Sequence, residues 1–264
     1  MYFGVLRKML AENLSPIEYY LILEDGFINL NQCLNKSLSI KWINSMCLNC
    51  EIENDIFRQG FCKSCFFDIP QTADWVIKPE LSLAHLNKEY RDLDYEKKIQ
   101  LQPHYIYLAS TSHLKVGVTR KSQTPSRWID QGANQALILL EVPNRYLAGI
   151  GEVNLKEHFS DKTNWRKMLT NESNIVNWQD AYKKGVENLP VELKSYIDSK
   201  NLDIINLIYP VNKYPKKVNS LKLEKQVEYK GKLIGIKGQY LIFEDQSVFN
   251  VRSNEGKVVE ISIN

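Results

Sequence analysis

The stretch YIYLASTSHLKVGVT, residues 105–119, holds two short apolar runs separated by a polar turn. Residues 105–108 and 114–119 are rich in aromatic and β-branched side chains, and residues 110–113 between them are small or polar. Two such runs joined by a short polar turn are typical of a β-hairpin. The stretch therefore predicts the first two strands of a sheet.

The segment after this hairpin alternates helix and strand patterns, which fall at 127–133 (helix), 136–140 (strand) and 147–159 (helix). The last of these helices should bury an apolar face formed by Leu147, Ile150, Val153 and Leu155. A further helix should follow, with Asp161 or Thr163 as its cap. We therefore expect a three-stranded sheet at 105–142 with helices packed on it.

Both ends of the chain carry strand patterns. Residues 2–45 and 227–264 consist of short apolar runs separated by turn residues such as Gly26 and Gly238. Short strands have edges that need a partner, so we expect the two ends to pack together as one β module. The charged stretch at 81–100 predicts a helix between them.

A cysteine motif follows the first strand region. Its spacing is C-x2-C-x11-C-x2-C, and its members are Cys47, Cys50, Cys62 and Cys65. Each pair can form a short hairpin, and two such hairpins complete a tetrahedral four-sulfur shell that suits Zn²⁺. Gly60 permits a close backbone approach before the second pair. Because protein ligands would fill all four positions, the zinc should be structural.

Two other interpretations of these cysteines remain open. An iron–sulfur cluster also takes four cysteines, and two unrelated buried pairs would need no metal. A chain with five cysteines and no disulfide-rich spacing is typical of a reducing compartment, where free thiols at this spacing favour a metal. Cys33 lies outside the motif and fits a small core residue.

These patterns predict an α+β fold: a small mixed sheet with helices, a zinc knuckle or ribbon segment, and a β-rich module built from both termini. We expect six divisions along the chain: an N-terminal β segment (1–45), a four-cysteine zinc-binding segment (46–70), a helical connector (71–103), the small sheet module (104–170), a helical segment (171–200) and a C-terminal β-rich segment (201–264). The helical segment should continue to Ser199 with a break near Pro190.

The distribution of charge favours an anionic partner. Net charge is +3, residues 101–170 carry nine Lys and Arg against five Asp and Glu, and residues 201–264 carry ten against seven. Such excesses point toward DNA or RNA, although a solvated surface with uneven charge explains the same counts. The sequence shows neither a signal peptide nor an apolar run of membrane-spanning length, so we expect a cytoplasmic protein without a membrane partner.

The middle of the chain presents a particular order of chemical groups. Two strands with a short turn come first, then an arginine on a helix, a glutamate on a second helix and an asparagine near a helix start. This order, over about 104–170, resembles the GIY-YIG nuclease superfamily. The runs RWIDQGA at 127–133 and DKTNWR at 161–166 resemble those of an uncharacterised bacterial family related to that superfamily, in which a cysteine knuckle pair precedes the module.

The resemblance assigns a role to individual residues. Tyr107 matches the tyrosine of the first motif. Lys115 stands where the second motif usually has tyrosine, and some branches of the superfamily have lysine at that position. Arg127 matches the arginine of the first helix, Glu152 the metal-binding glutamate, and Asn164 the late asparagine.

Two further positions concern the motif glycines. Gly117 matches the glycine that ends the second motif, whereas Tyr105 replaces the first glycine of the first motif.

The same residues form a coherent set on chemical grounds. Phosphodiester cleavage needs an activated water, a cation on the phosphate and a positive group for the developing charge. Glu152 could hold Mg²⁺ or Mn²⁺, and Arg127 could bind the phosphate bidentately. Tyr107, or Lys115 with a lowered pKa, could accept the proton. Each residue alone also fits an ordinary structural role; the ordered set is what favours a site.

Aromatic side chains next to basic ones could stack on unpaired bases, and these pairs are Arg127–Trp128, Arg145–Tyr146 and Trp165–Arg166. Tryptophans in the core beside surface charges are an equally good interpretation. His113, in the hairpin turn, could assist proton transfer, or be an ordinary exposed turn residue.

The leading hypothesis is a metal-dependent nuclease that hydrolyses DNA or RNA. One alternative is a non-catalytic nucleic-acid-binding protein with a degenerate nuclease fold. Another is a zinc-stabilised scaffold that binds a protein partner through its β-rich ends. The three hypotheses can be distinguished by the relative positions of four side chains, which are those of Tyr107, Lys115, Arg127 and Glu152.

Overall fold

The computed structural model describes residues 1–172, 174–197 and 202–264, which form an α+β fold. The chain divides into two compact units. Unit 1 comprises Met1–Phe67, Leu169–Asn171 and Leu207–Asn264, and unit 2 comprises Asp68–Met168 and Glu172–Asn206. No helix within the described ranges is long and apolar enough to cross a membrane.

The strands, in chain order, are β1 (Tyr2–Val5), β2 (Leu10–Glu12), β3 (Glu18–Leu23), β4 (Gly26–Asn29), β5 (Ser37–Ser45), β6 (His104–Ser110), β7 (Leu114–Arg120), β8 (Gln135–Val142), β9 (Ile204–Asn206), β10 (Asn219–Ser220), β11 (Glu228–Lys237), β12 (Tyr240–Phe243), β13 (Ser247–Asn250) and β14 (Lys257–Ile263). The helices are α1 (Lys63–Asp68), α2 (Leu93–Gln100), α3 (Ser126–Asp130), α4 (Arg145–Leu155), α5 (Trp165–Thr170) and α6 (Trp178–Glu187).

Unit 1 is built on a seven-stranded sheet that contains strands from both ends of the chain. Its strand order is β1-β14-β5-β11-β12-β13-β10. Strand β14 pairs antiparallel with β1 on one side and with β5 on the other, so Val258 lies opposite Val5 and Ile261 lies opposite Ile40. All four side chains are buried. The predicted β module from both termini is confirmed.

A second sheet in unit 1 has three strands in the order β2-β3-β4. Strand β3 alternates between buried and more exposed residues, with Tyr19, Leu21 and Leu23 on its buried face. This period of two is the pattern expected of a strand with one face on the core.

Unit 2 is built on a four-stranded antiparallel sheet in the order β7-β6-β8-β9. The sequence predicts three of these strands, and β9 extends the sheet at its edge through pairing of Ile205 with Ala136. The core joins the sheet to helices α4 and α6, and its fully buried members include Ile106, Leu108 and Leu155.

Helix α4 buries small residues where an apolar face is predicted. Ala148, Gly149, Gly151 and Leu155 are its buried residues, and Val153 is 43% exposed, so the predicted burial of Val153 is wrong. The buried residues of α4 centre on Ala148 and Leu155, and at 100° per residue Val153 lies about 140° from Ala148 around the helix. The turn at Pro79–Leu81 packs closely on Gly149, because a Cβ there would lie 2.3 Å from the backbone nitrogen of Glu80.

The charged stretch at 81–100 is α-helical only over its last eight residues. Short 3-10 turns at Pro79–Leu81 and Ala84–Leu86 precede α2, which begins at Leu93. Asp92 caps α2, because its carboxylate accepts a hydrogen bond from the backbone N–H of Tyr95 at 2.9 Å. The prediction of a continuous helix from 81 is therefore wrong.

The region after α5 contains α6 and a 3-10 turn at Val191–Tyr196, with Pro190 between them. The predicted helix end at Ser199 lies outside the described residues.

One cross-strand contact in the hairpin of β6 and β7 explains why glycine occupies position 117. Tyr107 lies directly opposite Gly117 and is completely buried. A Cβ on Gly117 would lie 2.7 Å from the hydroxyl oxygen of Tyr107, closer than van der Waals contact permits. Glycine is needed at 117 because the tyrosine ring occupies the space above it.

We predict that Gly117→Ala lowers the free energy of unfolding by about 1–3 kcal/mol, because the new methyl group overpacks a buried ring. Chemical denaturation measures the change. In a Tyr107→Leu background the same substitution should cost much less, because the opposing hydroxyl and ring are gone. An equal cost in both backgrounds would refute the contact as the cause.

Candidate functional site

The four motif cysteines converge in unit 1. The Sγ atoms of Cys47, Cys50, Cys62 and Cys65 all lie within 4.8 Å of one another. A tetrahedral zinc with Zn–S bonds of about 2.3 Å places its sulfurs about 3.8 Å apart, so the cluster has the dimensions of such a shell. These residues can hold a metal ion such as zinc.

The backbone around the two pairs explains this convergence. Gly60 has φ +81°, and its carbonyl accepts a hydrogen bond from the N–H of Leu48 at 2.8 Å. A Cβ on Gly60 would lie 2.4 Å from the Leu48 side chain. The predicted close approach at Gly60 is thus present, and it brings the loop before Cys62 against the first pair.

Hydrogen bonds to sulfur favour the thiolate form at Cys47, whereas at Cys65 the hydrogen bond from Asn49 is outweighed by burial and by hydrogen bonds with the other three cysteines, which raise the pKa to about 12. Burial raises the pKa of Cys47, but hydrogen bonds from the backbone of Cys50, Cys62 and Asn49 outweigh it, and the pKa falls to about 6. The N–H of Cys62 lies 3.3 Å from the Cys47 sulfur, and the Asn49 amide lies 3.4 Å from the Cys65 sulfur. With four sulfurs present, a bound zinc would have no open position for a substrate.

A second cluster of polar side chains lies in unit 2, around the hairpin of β6 and β7. Its most buried member is Tyr107, whose hydroxyl donates to the Gln131 side chain at 3.2 Å and whose ring meets that of Trp128 at 5.7 Å. Burial raises the pKa of Tyr107, with Glu152 adding to the rise and Arg127 opposing it. The phenol is therefore protonated at neutral pH.

Lys115 lies on the same face of the hairpin as Tyr107. It pairs with Ala109, two residues along the strands from the pair Tyr107–Gly117, so both pairs lie on the same face. Only 5% of the surface of Lys115 is exposed. Burial is the main cause that lowers the pKa of Lys115 to about 8; Arg127 adds to this, and Glu152 and Asp161 oppose it. Lys115 is therefore coupled electrostatically to the arginine and the glutamate of the predicted site.

Glu152 projects from α4 and is 12% exposed. Burial raises its pKa, while the nearby charges of Lys156, Arg145 and Lys115 lower it. The Lys156 ammonium lies 3.6 Å from the Glu152 carboxylate and 3.7 Å from that of Asp161.

Glu80 adds a second carboxylate to this environment. Its charge contributes to the raised pKa of Glu152. One of its carboxylate oxygens, Oε2, is buried and has no hydrogen-bond partner within the described part of the chain. Arg145 acts on both carboxylates through its charge, while its guanidinium donates to the carbonyls of Trp75 and Val76 at 3.1 and 2.7 Å.

Arg127 and Asn164 occupy different positions relative to the cluster. Arg127 is half-buried on α3, and its charge acts on both Tyr107 and Lys115. Asn164 caps α5: its amide oxygen accepts from the N–H groups of Arg166 and Lys167 at 3.1 and 3.2 Å. Asn164, rather than the expected Asp161 or Thr163, is therefore the helix cap.

The structure thus brings Tyr107, Lys115, Arg127 and Glu152 into one electrostatically coupled cluster. Asn164 is tied to the hairpin turn by its backbone N–H, which donates to Ser112 Oγ at 3.0 Å, while its side chain is engaged in capping.

Sequence reasoning missed four members of the cluster: Gln131, Lys156, Asp161 and Glu80. The spacing of Glu152 and Lys156, four residues apart on one helix face, is a signal that could have found the lysine. Asp161 lies in the DKTNWR run that carried the resemblance, but the resemblance assigned it no role in the site. Nothing local distinguishes Gln131 or Glu80.

The aromatic residues expected to stack on bases are engaged within the protein. Trp128 is fully buried, so of the two interpretations the tryptophan in the core is the one that applies to it. Tyr146 stacks on His85 with a centroid separation of 4.2 Å, and Arg166 covers Trp165 at 4.3 Å. His113 contacts Ser112 Oγ at 3.0 Å through Nδ1.

We predict that purified protein contains one zinc per chain and that Cys62→Ser loses it and is markedly destabilised, because a structural metal contributes directly to folding. Elemental analysis and chemical denaturation measure the two effects, and the analysis also separates zinc from iron. Cys33→Ser is the matched control, because Cys33 is a buried cysteine outside the cluster and its variant should keep the metal. Folded wild-type protein without metal would rule out this assignment.

Comparison with known proteins yields a family but no activity. A family model described as a protein of unknown function (DUF2797) matches residues 35–259, which include both clusters. No curated protein and no solved structure matches the chain. Because the matched segment covers most of the sequence, the chain belongs to the DUF2797 family of proteins of unknown function.

Proposed function

We propose that the cluster around Lys115 binds the backbone of DNA or RNA and hydrolyses a phosphodiester bond with the help of a divalent cation. The observation that supports this most directly is the electrostatic coupling of Lys115 to both Arg127 and Glu152. These three residues come from a strand and two different helices, and the resemblance to GIY-YIG nucleases assigns all three to one site.

The burial of these groups supports a functional role. Removing charges from water is costly unless they are paired, and sites of catalysis are places where such costs are retained. Lys115 is 5% exposed, and within the described residues it forms no ion pair. An ordinary surface lysine on an edge strand would extend into solvent.

Arg127 has the chemistry to hold a phosphate. A guanidinium can donate two parallel hydrogen bonds to phosphate oxygens, and it keeps its charge at all physiological pH values. Arg127 would therefore contact the phosphate both before and during the reaction.

Lys115 is better suited than Tyr107 to accept a proton from water. Burial moves the two pKa values in opposite directions: that of Lys115 falls to about 8, and that of Tyr107 rises above its usual value. At neutral pH a useful fraction of Lys115 is neutral and basic, whereas Tyr107 stays protonated. Tyr107 would then act as a hydrogen-bond donor held by Gln131.

Glu152 and Glu80 offer carboxylate oxygens to a divalent cation: burial raises the pKa of Glu152, and within the described residues Oε2 of Glu80 is buried without a hydrogen-bond partner. Mg²⁺ or Mn²⁺ bound there would polarise the phosphate and stabilise the developing charge. Glu152 would hold the cation, and Glu80 would add a second oxygen ligand or orient bound water.

One contact favours the alternative of a nucleic-acid-binding protein without cleavage. Lys156 lies 3.6 Å from the Glu152 carboxylate and partly compensates its charge, which competes with a metal. The replacement of the first-motif glycine by Tyr105 and of the second-motif tyrosine by Lys115 agrees with this alternative. A protein-binding scaffold remains if the chain has no affinity for nucleic acid.

We predict that Glu152→Ala lowers divalent-cation-dependent cleavage by about a hundredfold or more while leaving nucleic-acid binding nearly unchanged, because the cationic contacts remain. Arg127→Ala should weaken both cleavage and binding. Cleavage of labelled DNA and RNA, paired with binding at low salt, measures these effects. Glu157→Ala is the matched control, because Glu157 is an exposed glutamate just beyond α4.

Three results decide among the alternatives. Cleavage that survives Glu152→Ala would contradict the assigned site. Binding without any cleavage, weakened by Arg127→Ala, would select the non-catalytic alternative. A wild-type protein that binds neither DNA nor RNA at low salt would remove both and leave the scaffold.

We further predict that the cleavage rate rises with pH through about 8, because the neutral, basic form of Lys115 increases as the pH passes its lowered pKa. Lys115→Arg should keep a positive charge at this position but abolish this rise, because arginine does not lose its proton. Rates measured between pH 6.5 and 9 at saturating substrate test this. A profile that Lys115→Arg leaves unchanged would exclude Lys115 as the base.

A further inference from the structure

A pocket of about 350 Å³ lies within unit 1, away from the four cysteines. Its volume falls in the range of small-molecule sites. Phe243 on β12 and Ile234 on β11 supply its apolar part, and the loop of residues 212–216 supplies most of the remainder.

The loop brings positive charge to this pocket. It reads Asn-Lys-Tyr-Pro-Lys, and Lys213 and Lys216 are exposed lining residues. Within the described residues neither lysine forms an ion pair. The single acidic lining residue, Glu244, is paired with Lys232 at 3.0 Å. The uncompensated charge at the pocket is therefore positive.

An aromatic ring in the pocket is held in place from within the protein. Tyr214 lines the pocket, and the ammonium of Lys237 lies 5.2 Å from its ring centroid. Lys237 is fully buried, lies 5.2 Å from the ring of Tyr209 and donates to the Asn171 amide oxygen at 2.9 Å. A ring fixed in advance loses little entropy when a ligand stacks on it.

Carboxamides complete the lining. The Asn212 amide donates to the Asn35 side-chain oxygen at 3.0 Å, and Gln246 lies at the same pocket. Carboxamides offer both donors and acceptors, which suits the edge of a nucleobase. The pocket thus combines an aromatic surface, amide groups and unpaired lysines.

We propose that this pocket binds one nucleotide unit, with the base against Tyr214 and the phosphate near Lys213 and Lys216. Base stacking on aromatic rings and lysine contacts to phosphate are the two interactions that bind single-stranded nucleic acid without strong sequence preference. The unit could be a free mononucleotide or one residue of a strand. The proposal does not depend on the unit 2 cluster.

Binding of the four 5′-mononucleotides and of a ten-nucleotide single strand to the full chain, measured by calorimetry, tests this proposal. Mononucleotides contain no phosphodiester bond between nucleotides, so cleavage cannot affect the result. We expect saturable binding that falls at least about tenfold in the double variant Lys213→Ala/Lys216→Ala, because two phosphate contacts are lost. Lys230→Ala, an exposed lysine of the same unit outside the pocket, should bind as wild type does.

A pair of tyrosine variants tests the stacking. Tyr214→Phe keeps the ring and should stay within about twofold of wild type, whereas Tyr214→Ala should lose about tenfold or more. Retained metal content and thermal unfolding would show that each variant is folded; if Tyr214→Ala does not fold, the lysine variants decide. A strand that binds more tightly than mononucleotides identifies nucleic acid as the source, and the reverse order identifies a free nucleotide.

Three results would overturn the proposal. The first is the absence of saturable binding by any mononucleotide or strand. The second is binding of inorganic phosphate as tight as that of nucleotides. The third is a loss of nucleotide affinity in Lys230→Ala equal to the loss in the pocket variants. Since the assay requires neither added divalent cation nor cleavage, its failure would leave the function proposed for unit 2 unaffected.

Discussion

The pairing of β14 with β1 and β5 is the constraint on which unit 1 depends. It joins the two ends of the chain in one sheet, and it gives both β1 and β5 a hydrogen-bonded neighbour. The residue before β14, Gly256, continues the pairing: its N–H donates to Leu6 and its carbonyl accepts from Met46, next to the first zinc-motif cysteine. The cysteine cluster is therefore anchored to the strand that closes the sheet, and a metal bound there would stabilise both.

In unit 2, the constraint on which the cluster around Lys115 depends is the burial of its charged side chains. The same loss of water lowers the pKa of Lys115 and raises that of Glu152, so the two groups move toward neutrality from opposite directions. Each shift follows from burial, of Lys115 on the edge strand β7 and of Glu152 on α4. A lowered pKa suits Lys115 to the proposed role of general base, whereas a raised pKa favours the protonated form of Glu152, an effect that a bound cation would reverse.

Local patterns in the sequence were sufficient to predict the strands of the hairpin at 105–119, the β-rich ends and the cysteine cluster, because alternation and ligand spacing are short-range signals. They failed where distant contacts decide. Val153 is exposed because the core contacts α4 around Ala148 and Leu155, about 140° away from Val153 on the helix, and the helix expected from 81 begins only after the Asp92 cap. The order of Lys115, Arg127 and Glu152 along the chain suggested a site, but Glu80 joins them only through folding, which no local pattern reveals.

In the proposed function, the cluster around Lys115 holds a cation and a phosphate together. Crystals soaked with Mn²⁺ and a short oligonucleotide, examined for anomalous scattering, test it most directly. We predict a manganese peak about 2.1 Å from a Glu152 carboxylate oxygen, with a phosphate between the ion and Arg127. A fully occupied manganese elsewhere on the protein, with the Glu152 carboxylate still paired to Lys156 and no phosphate at Arg127, would contradict it.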